Sequence, residues 1–501
     1  MTLPASGTIA IADLETEFGG SNPASLSQYY RGGSLVPNTP SNSGVPTSGT
    51  IALNNFYNAS KQRGYLNLIA SNSNLDGVTA PAIDSSNNAY IMVGQGTARI
   101  NQNKFSSTGS TQINNSVTPT NAIYVNSSCV GPSGNVYVCG YTYYFNASYY
   151  AYRTAPWIAK YNSSGVFQWS QYLNFDSNGY PIDYGSWNDI TVDASENLYV
   201  CGNFYVTTYS STAYNPGFAK YDSNGNLSWA TASYPIYGSG NGGGAALGIS
   251  LDSSGNIYAT AISSQYGVSV SYASLVKLNN SGSIQWYTNF YESSSNSGRP
   301  SPGCVVDSSG NIYLTYDGYS GNCYVIKFNS SGSIVWQKYF TNTGGQTYST
   351  SGGNAIKTLA IDNTNGYVYI NAQSNYSYGI TIKLDLNGNI IWSKQLAASP
   401  TSIEIGGVSL SNNKTQYFSS YWTYISGTST IIILENTVDG TPFSVTLDGV
   451  TFNYTTLSLG TANGGLTNFT SSYSQSGRSI SQGNDSLSTS GSSATIYSQI
   501  I

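Results

Sequence analysis

Between about residues 64 and 445, apolar and polar residues alternate in short segments separated by turns rich in glycine, asparagine and aspartate. One recurring unit is an apolar strand, an Asp-Ser-Ser-Gly-Asn turn and an apolar-Tyr-apolar segment, clearest at residues 249–258. Its tyrosine recurs at positions 90, 137, 199, 258, 313, 369 and 417, the last in an eroded copy. Alternation around turn residues that tolerate positive φ is typical of antiparallel hairpins.

A second unit follows each copy of the first. It reads Lys, apolar, Asn or Asp, two residues and Gly, and then alternates until a Trp, as in residues 277–286. The copy that begins at Lys104 has Ile113 in place of Trp, and the last copy, around residue 435, is degenerate. Two hairpins make four strands, and four strands repeated about every 55 residues are typical of propeller blades. The sequence therefore predicts an all-β, seven-bladed β-propeller with four-stranded blades over residues 63–445.

The repeat also resembles a known group of proteins. Residues 307–314, Asp-Ser-Ser-Gly-Asn-Ile-Tyr-Leu, are similar to the β-propeller repeats of the NHL and bacterial seven-bladed type. The resemblance covers roughly residues 64–445 and implies the same fold. It implies little about function, because such propellers serve as adhesins, as scaffolds and occasionally as enzymes.

Two segments could close the ring. Residues 64–70 have the glycine-plus-alternation pattern of an outermost strand but precede the first blade. They could pair with the last blade and cover its open edge. The alternative is that residues 443–447 supply that strand.

The turn aspartate and the tryptophan that recur in the repeat each have two interpretations. Each turn aspartate is expected to accept hydrogen bonds from amides of its own turn, because the turn carries too few carboxylates for a Ca²⁺ site. The recurrent tryptophan is expected to pack between blades, the alternative being a ligand platform. We predict burial for Tyr258, Tyr313, Trp286 and Trp336.

Residues 1–62 differ from the repeats and contain a near-duplication. Residues 6–11 (Ser-Gly-Thr-Ile-Ala-Ile) are echoed by residues 48–53 (Ser-Gly-Thr-Ile-Ala-Leu), and each copy leads into a short amphipathic segment. With few large apolar residues, the segment is expected to fold against another surface.

This N-terminal end resembles the N-terminal segments of tailed-phage virion proteins. The matching residues are Pro4, Ser6, Gly7, Ile9, Asp13, Glu17 and Gly19, and then Pro46, Ser48, Gly49, Ile51, Phe56 and Tyr57, while Asn58 departs from the usual glycine. The resemblance implies an attachment module for a virus particle, with Ile9, Phe18, Ile51, Phe56 and Tyr57 as attachment residues. The alternative is a small cap on the propeller.

The C-terminal tail, residues 446–501, reads as β-rich. Residues 450–454 alternate like a strand, a Ser/Gly/Asn-rich stretch follows, and residues 494–501 form one more apolar strand. We expect this last strand to join a sheet edge, either of the propeller or of a neighbouring subunit.

Composition excludes several classes of function. The chain has no histidine, which excludes Ser-His-Asp and Cys-His nucleophile pairs and His-ligated zinc. Charged residues are only 8%, and the net charge of −5 is spread without runs of either sign, so nucleic-acid binding and membrane insertion are not expected. We find no export signal and expect neither cofactor nor metal.

Of the five cysteines, Cys129 and Cys139 could face each other across a hairpin; buried free thiols are the favoured interpretation, and a bridge stays open.

Tyrosines mark one face of the predicted ring. The Asp-Ser-Ser-Gly-Asn and Asn-Ser-Ser-Gly turns share one side, which places the long, tyrosine-rich connections on the other. Tyr, Ser, Gly and Asn together are typical of recognition surfaces. The candidate ligand-binding residues are Tyr143, Tyr144, Tyr149, Tyr150, Tyr152, Tyr184, Trp187, Tyr205, Tyr209 and Tyr214. The alternative is that these loops contact sister subunits.

Three functions are compatible with the fold: a virion appendage, a bacterial lectin-like adhesin and a polysaccharide-degrading enzyme. The adhesin would need an export signal, and the enzyme would need paired carboxylates, which the long loops lack. The sequence therefore favours a non-enzymatic virion protein, of tail-fibre or other appendage type, exposed on the particle. The expected partners are other virion proteins, further copies of the chain and a host-surface glycan; a purely structural decoration protein is the alternative.

Overall fold

The computed structural model gives the arrangement of most of the chain. It describes residues 3–500 except for residues 4–5, 19, 21–24, 32–34, 37–41, 43, 58–64, 72–74, 96–98, 108, 120, 122, 147–149, 177–181, 207–213, 236–243, 265–270, 293–298, 319–322, 342–347, 350–357, 375–377, 413, 415, 426–427, 439, 441, 464–465, 471–472, 478–479, 485–486 and 492–494. Within these ranges, no helix has the length and apolar character needed to cross a membrane.

The N-terminal segment has a hydrophobic core of its own. It contains helix α1 (Ile11–Phe18) and two 3-10 helices, Leu26–Tyr29 and Leu53–Phe56. The rings of Phe18, Tyr29 and Phe56 contact one another at centroid distances of 6.2–6.4 Å. The buried residues are Leu3, Ile9, Leu14, Phe18, Tyr29, Val36, Val45 and Phe56. The segment therefore buries a core of its own, and the expectation that it folds against another surface stays a prediction.

The remainder of the chain is a seven-bladed β-propeller, as predicted. The ring begins with β1 (Tyr65–Ser71). Blade 1 contains β2 (Leu75–Val78), β3 (Ala82–Ile83), β4 (Ala89–Gln95), β5 (Arg99–Phe105) and β6 (Thr111–Pro119). Blade 2 contains β7 (Ile123–Val130), β8 (Val136–Asn146), β9 (Ala151–Tyr161) and β10 (Phe167–Asp176). Blade 3 contains β11 (Ile182–Val192), β12 (Leu198–Val206), β13 (Tyr214–Tyr221) and β14 (Leu227–Pro235).

The other four blades repeat this plan. Blade 4 contains β15 (Gly244–Leu251), β16 (Ile257–Ser264), β17 (Ser271–Leu278) and β18 (Ile284–Glu292). Blade 5 contains β19 (Arg299–Val306), β20 (Ile312–Asp317), β21 (Cys323–Phe328) and β22 (Ile334–Thr341). Blade 6 contains β23 (Tyr348–Ser349), β24 (Leu359–Asp362), β25 (Tyr367–Ser374), β26 (Tyr378–Asp385) and β27 (Ile390–Ser399). Blade 7 contains β28 (Ile403–Leu410), β29 (Gln416–Ile425) and β30 (Thr428–Thr437).

Strand β1 completes blade 7 and closes the ring. It pairs antiparallel with β30, with Tyr65 opposite Glu435 and Ser71 opposite Ser429. Of the two closures that the sequence allows, the early strand is the one that forms. Residues Phe443–Leu447 lie elsewhere, at the outer edge of blade 6.

The C-terminal tail adds one outer strand to every blade. After β31 (Phe443–Leu447), the strands β32 (Val450–Thr456), β33 (Gly460–Asn463), β34 (Leu466–Thr470), β35 (Tyr473–Gly477), β36 (Ile480–Asn484), β37 (Leu487–Gly491) and β38 (Thr495–Ile500) follow. They pair in turn with blades 6, 5, 4, 3, 2, 1 and 7. The tail is thus a belt around the whole ring. The expectation that the last strand joins a sheet edge is confirmed, and the edge is the propeller's own.

The belt has a seven-residue sequence period. Apolar residues recur at positions 452, 459, 466, 473, 480 and 487. Four of them take the same register against the blades: Leu466 opposite Glu292, Tyr473 opposite Pro235, Ile480 opposite Asp176 and Leu487 opposite Pro119. Seven extended residues span at most about 25 Å, so one period carries the chain from one outer strand to the next.

Aromatic residues join one blade to the next at six of the seven seams, and Ile113 takes their place at the seam between blades 1 and 2. The third-turn glycine of a blade lies against the side chain from the preceding blade's fourth strand, so that a Cβ at Gly282 would come within 2.7 Å of Trp229. The pairs are Trp169 with Gly225, Trp229 with Gly282, Trp286 with Gly332, Trp336 with Gly388, Trp392 with Gly440, Tyr65 with Gly109 and Ile113 with Gly165. The predicted inter-blade role of the tryptophan is confirmed. Tyr258 and Tyr313 are buried as predicted, whereas Trp286 and Trp336 are only half-buried.

The turn aspartates bond their own turns, as predicted. In blade 4, Asp252 accepts the amides of Ser254 and Asn256 at 2.9 and 2.8 Å, and its second oxygen accepts the Asn256 side chain and the Tyr258 hydroxyl. Lys277 lies over the Tyr258 ring at 5.3 Å. The same Asp-Tyr arrangement occurs at Asp84, Asp193 and Asp307.

Blade 2 obtains this carboxylate from its neighbour. Gly131 stands where the aspartate is expected, and Glu196 of blade 3 reaches across to accept the Ser133 amide at 3.0 Å and the Tyr137 hydroxyl at 2.8 Å. A Cβ at Gly131 would come within 2.8 Å of Glu196 Oε1, so the glycine makes room for it. Burial raises the pKa of Glu196, but the hydrogen bonds from Tyr137, Ser133 and Asn135 outweigh burial and hold the pKa below 4.5.

We expect Glu196→Gly to lower the free energy of unfolding by about 2 kcal/mol, because Tyr137 and the Ser133 amide lose a charged acceptor. Glycine suits the φ of +61° at this position, so the substitution adds no backbone strain. Adding Gly131→Asp restores the repeat sequence and should recover most of the loss. Denaturant unfolding of the two single variants and the double variant measures the coupling free energy between positions 131 and 196. A double variant no more stable than Glu196→Gly would contradict the idea that Glu196 replaces the missing turn aspartate.

The cysteines are free thiols. Cys129 lies opposite Tyr137 and Cys139 lies opposite Ser127, so the two do not face each other across the hairpin. All five cysteines are unbridged, and all except Cys129 are buried. The favoured interpretation of buried free thiols therefore holds for Cys139, and the Cys129–Cys139 bridge does not form.

Candidate functional site

The hairpin of β8 and β9 in blade 2 is extended on the face opposite the tight turns. Both strands have eleven residues, and their register runs unbroken from Val136–Tyr161 to Asn146–Ala151. Alternation along the strands places Tyr141, Tyr143, Phe145 and their cross-strand partners on one face. Five of the ten predicted ligand-binding residues belong to this hairpin and the segment that connects its strands.

Aromatic rings form a strip along that face. Tyr124 of the inner strand stacks on Tyr141 at a centroid distance of 4.6 Å, and Tyr143 lies 6.0 and 6.1 Å from these two rings. Toward the tip, Phe145 and Tyr152 face each other across the strands at 5.5 Å in an edge-to-face pair. Cross-strand aromatic pairs of this kind stiffen a hairpin.

The tip of the strip is open to solvent. Tyr150 is 86% exposed, Tyr152 67%, Phe145 52% and Tyr184, from the inner strand of blade 3, 39%. Tyr150 has a φ of +47°, a conformation that costs an aromatic residue free energy and that directs its ring away from the strands. Exposed aromatic rings concentrated at one tip are an energetically costly arrangement that a binding role would explain.

One cation lies within this aromatic group. The Arg153 guanidinium lies over the Tyr184 ring at 5.4 Å, and Nη1 donates to the carbonyl of Tyr152 at 3.3 Å. The Gly185 amide donates to Thr154 at 3.3 Å, which holds blade 3 against the hairpin. This contact places the guanidinium beside the exposed ring of Tyr184.

Two of the predicted ligand-binding residues are interior. Trp187 is fully buried in the core between blades 2 and 3, and Tyr144 is 7% exposed and packs against Tyr172 at 6.1 Å. Neither side chain can contact a ligand, so these two predictions are wrong. Tyr144 is on the opposite face of the strand from Tyr143 and Phe145. Trp187 lies three residues after Tyr184, on the buried side of β11.

The remaining predicted residues have different surroundings. Tyr143 is half-buried within the strip, whereas Tyr150, Tyr152 and Tyr184 are exposed. Tyr205 and Tyr214 lie opposite each other, near the end of β12 and at the start of β13. Tyr149 and Tyr209 lie outside the described residues. Sequence reasoning missed Phe145 and Arg153. Strict alternation from Tyr143 would have placed Phe145 on the same face.

The carboxylate of Asp189 has a structural role. Asp189 is 1% exposed, accepts the Ser127 hydroxyl of blade 2 at 2.7 Å and accepts the Ile249 amide of blade 4 at 3.0 Å. It therefore ties three inner strands together where β11 has a bulge.

The duplicated N-terminal sequence forms two matching turns. The Tyr57 hydroxyl donates to the Gly7 carbonyl at 2.7 Å, and the Tyr30 hydroxyl donates to the equivalent carbonyl of Gly49. Likewise, the Ala10 amide donates to Asp13 and the Ala52 amide to Asn55, both at 2.7 Å. Both glycines have positive φ and open space where a Cβ would be.

The predicted attachment residues form the inside of this module. Ile9, Phe18 and Phe56 are buried, and Ile51 and Tyr57 pack against the same core. Their side chains shape the two turns, and the exposed turns themselves are the surface that a partner can reach.

No family model and no curated protein sequence matches the chain. Among solved structures, the periplasmic gluconolactonase PpgL of Pseudomonas aeruginosa aligns at 11% identity and a TM-score of 0.42, over 82% of this chain and 99% of that one. An α-L-arabinanase of Penicillium chrysogenum aligns at 8% identity and a TM-score of 0.41, over 65% and 99%. The tail fibre of Staphylococcus aureus phage P68 aligns at 12% identity and a TM-score of 0.24, over 53% and 52%. Likenesses this remote carry no argument about function.

Proposed function

We propose that this chain is a non-enzymatic protein of a tailed-phage particle, of tail-fibre or other appendage type. In this proposal, residues 1–62 attach it to other virion proteins, and the propeller presents its long-loop face to the host surface. The observation that carries the recognition role is the exposed aromatic tip of blade 2, formed by Phe145, Tyr150 and Tyr152 with Tyr184.

The chemistry of the tip favours a glycan. Aromatic faces stack on the apolar faces of sugar rings, and neutral hydroxyl and amide groups bond their hydroxyls without competing charges. The strip from Tyr124 to Tyr152 repeats rings at 4.6–6.1 Å, which suits an extended chain of residues better than a compact ligand. Arg153 would add affinity for an acidic or phosphate-bearing unit.

The attachment role rests on the resemblance of the N-terminal segment to virion proteins. The segment is a small unit with its own core and two matching exposed turns at Gly7 and Gly49. Such a unit can serve as a separate docking element, with several copies of the chain bound around one particle.

Replacing Phe145, Tyr150 and Tyr152 together by serine should weaken host adsorption by about 1–3 kcal/mol, roughly 5- to 150-fold, because exposed aromatic anchors dominate binding. The unfolding temperature should change little, since these side chains are largely exposed. Adsorption should also depend weakly on salt, because few charges take part. Adsorption is measured with phage particles that carry the variant protein.

A matched control replaces Val335 and Ile391, which are 53% and 49% exposed near the opposite face, by serine. This variant should adsorb like the unaltered protein. Equal adsorption of both variants, with the blade 2 tyrosines packed against neighbouring subunits in the particle, would favour the alternative of a purely structural propeller.

Deleting residues 1–62 should leave a folded propeller that no longer enters the particle. The ring closes through β1, β30 and the belt, none of which includes those residues, so the unfolding temperature of the propeller should be retained. Calorimetry and the protein composition of assembled particles measure the two effects. Incorporation of the truncated chain would refute attachment, and a marked loss of propeller stability would instead identify the segment as a cap.

A further inference from the structure

A cavity opens in the central channel on the side of the tight turns. Its volume is about 270 Å³, and blades 6, 7, 1 and 2 line it. The lining segments, at residues 81–83, 128–130, 359–361 and 408–410, all directly precede a first turn, which places the cavity on the face opposite the aromatic tip of blade 2.

The walls of the cavity are mostly aliphatic. Ile83, Val130, Leu359, Ile361, Val408 and Leu410 supply branched apolar side chains. Among the polar groups, the Ser409 hydroxyl already donates to the carbonyl of Pro81 and the Ser128 hydroxyl to Thr79 at 2.9 Å. The aliphatic side chains therefore form one part of the wall, and polar atoms, those of Lys414 among them, form the rest.

Lys414 is the cation at the rim of this cavity. Its ammonium makes no hydrogen bond or ion pair with any residue that the structure describes. The nearest acid, Asp362, accepts the Thr364 and Asn365 amides at 3.0 Å and the Asn365 side chain at 2.7 Å. Burial lowers the pKa of Lys414, and Asp362 opposes that shift.

The backbone at Lys414 is left-handed, as it is at the same position in other first turns of the ring. Its amide donates to Ser411, which matches the bond from Gly255 to Asp252 in blade 4, and Gly310 is the equivalent residue in blade 5. Both glycines have a φ of +78°, and Lys414 has +58°. Blades 1 and 3 also have side chains at this position, Asn87 and Glu196, with φ of +62° and +61°. What points to a ligand is therefore the place of the Lys414 ammonium, which lies beside the cavity and pairs with none of the residues that the structure describes.

We propose that this cavity binds a small aliphatic monocarboxylate, with its chain against the apolar walls and its carboxylate on Lys414. At about 30 Å³ for each water-sized group, the volume holds about nine such groups, which suits an unbranched acid of six to eight carbons. The site is independent of the proposed host recognition, since it lies on the other face of the ring.

The test titrates the full chain with hexanoate, hexanamide and hexylammonium, followed by saturation-transfer NMR. Hexanoate should bind with a dissociation constant of about a millimolar and at least about 10-fold more tightly than either other probe. Lys414→Met should weaken hexanoate about 10-fold and leave hexanamide unchanged. Ile83→Ser should weaken hexanoate and hexanamide alike, because it removes apolar wall without removing the charge.

A second variant separates binding from folding. Lys414→Gly introduces the residue that blades 2, 4 and 5 have at this left-handed position, so its unfolding temperature should not fall, while hexanoate binding should weaken as in Lys414→Met. No hexanoate binding at 20-fold its expected dissociation constant, or equal binding by the unaltered protein and Lys414→Met, would overturn the proposal. A lower unfolding temperature of Lys414→Gly with hexanoate binding retained would also overturn the proposal, since Lys414 would then stabilise the turn rather than bind the carboxylate.

Discussion

Deleting residues 457–501 should lower the unfolding temperature by roughly 10 °C, which corresponds to about 3–5 kcal/mol at the usual 2–4 °C per kcal/mol. The deletion removes β33–β38, and with them the outer partner strand of every blade except blade 6. Six sheets would then end on an unpaired edge, and open edges of this kind pair with other chains. We therefore also expect self-association, measured by sedimentation alongside calorimetry.

A matched pair of variants tests the seven-residue period itself. Replacing Leu466, Tyr473, Ile480 and Leu487 by serine should lower the unfolding temperature, because these residues take equivalent positions on four blades. Replacing the residues that follow them, Thr467, Ser474, Ser481 and Ser488, by alanine should have a much smaller effect. Equal losses from the two sets would show that the period does not determine where the belt sits.

The belt also explains how the ring resists opening. Strand β1 joins the first and last blades, and β38 then covers β1, with Leu68 opposite Tyr497. The tail starts at blade 6, passes round the other blades and ends at blade 7, where β38 approaches β31. Separating any two blades at a seam therefore requires a belt segment to detach as well.

The sequence predicted the ring because each blade is a local unit. Two hairpins with fixed turn chemistry repeat within about 55 residues, so the seven blades and the turn bonds of residues such as Asp252 can be derived without long-range information. The early strand at Tyr65 was recognised as one of two possible closures for the same reason.

The belt was missed because its pairing is entirely non-local. Each strand is short, its connections are two or three residues long, and its Ser/Gly-rich sequence resembles a disordered stretch. Only the apolar residue every seven positions, from Phe452 to Leu487, could have revealed it. The sequence also could not reveal that Glu196 of blade 3 supplies the carboxylate that is missing at Gly131 of blade 2, because this contact joins two different blades.

The candidate site was predicted in outline but not residue by residue. Tyrosine-rich loops led to the prediction of a site at the hairpin of β8 and β9, yet composition cannot distinguish the two faces of a strand. Tyr144 and Trp187 are therefore buried, while Phe145 and Arg153 were overlooked. The periodicity of the strand, rather than the identity of the residue, decides exposure at these positions.

Replacing Glu435 by glutamine should raise stability at pH 8 and have little effect at pH 4. Glu435 is fully buried at the closing seam, opposite Tyr65, in the position that lysine occupies in the other six blades. Burial raises its pKa well above 4.5, and the neighbouring Tyr65 and Gln416 lower it by less. No cationic side chain that the structure describes forms an ion pair with it.

The sign of the pH dependence follows from this raised pKa. Between 4.5 and its value in the folded protein, Glu435 holds its proton in the folded chain and loses it in the unfolded chain. Folding stability therefore falls as pH rises through this window, by up to about 1.4 kcal/mol for each pH unit. Glutamine has no proton to lose, so the variant should gain relative to the unaltered protein across the same window.

Urea unfolding between pH 4 and pH 9 measures this difference, and Asp385→Asn provides a control of opposite sign. Burial raises the pKa of Asp385, but hydrogen bonds from Asn389 and Asn387 and the charge of Lys338 outweigh burial and hold the pKa below 3.8. The contribution of Asp385 to folding stability is therefore present at neutral pH and is lost as pH falls. Asp385→Asn should therefore be less stable at pH 7, with the deficit shrinking in acid. A Glu435→Gln variant whose stability runs parallel to the unaltered protein at every pH would mean that Glu435 is ionised in the folded ring, and that the seam supplies its charge with a partner.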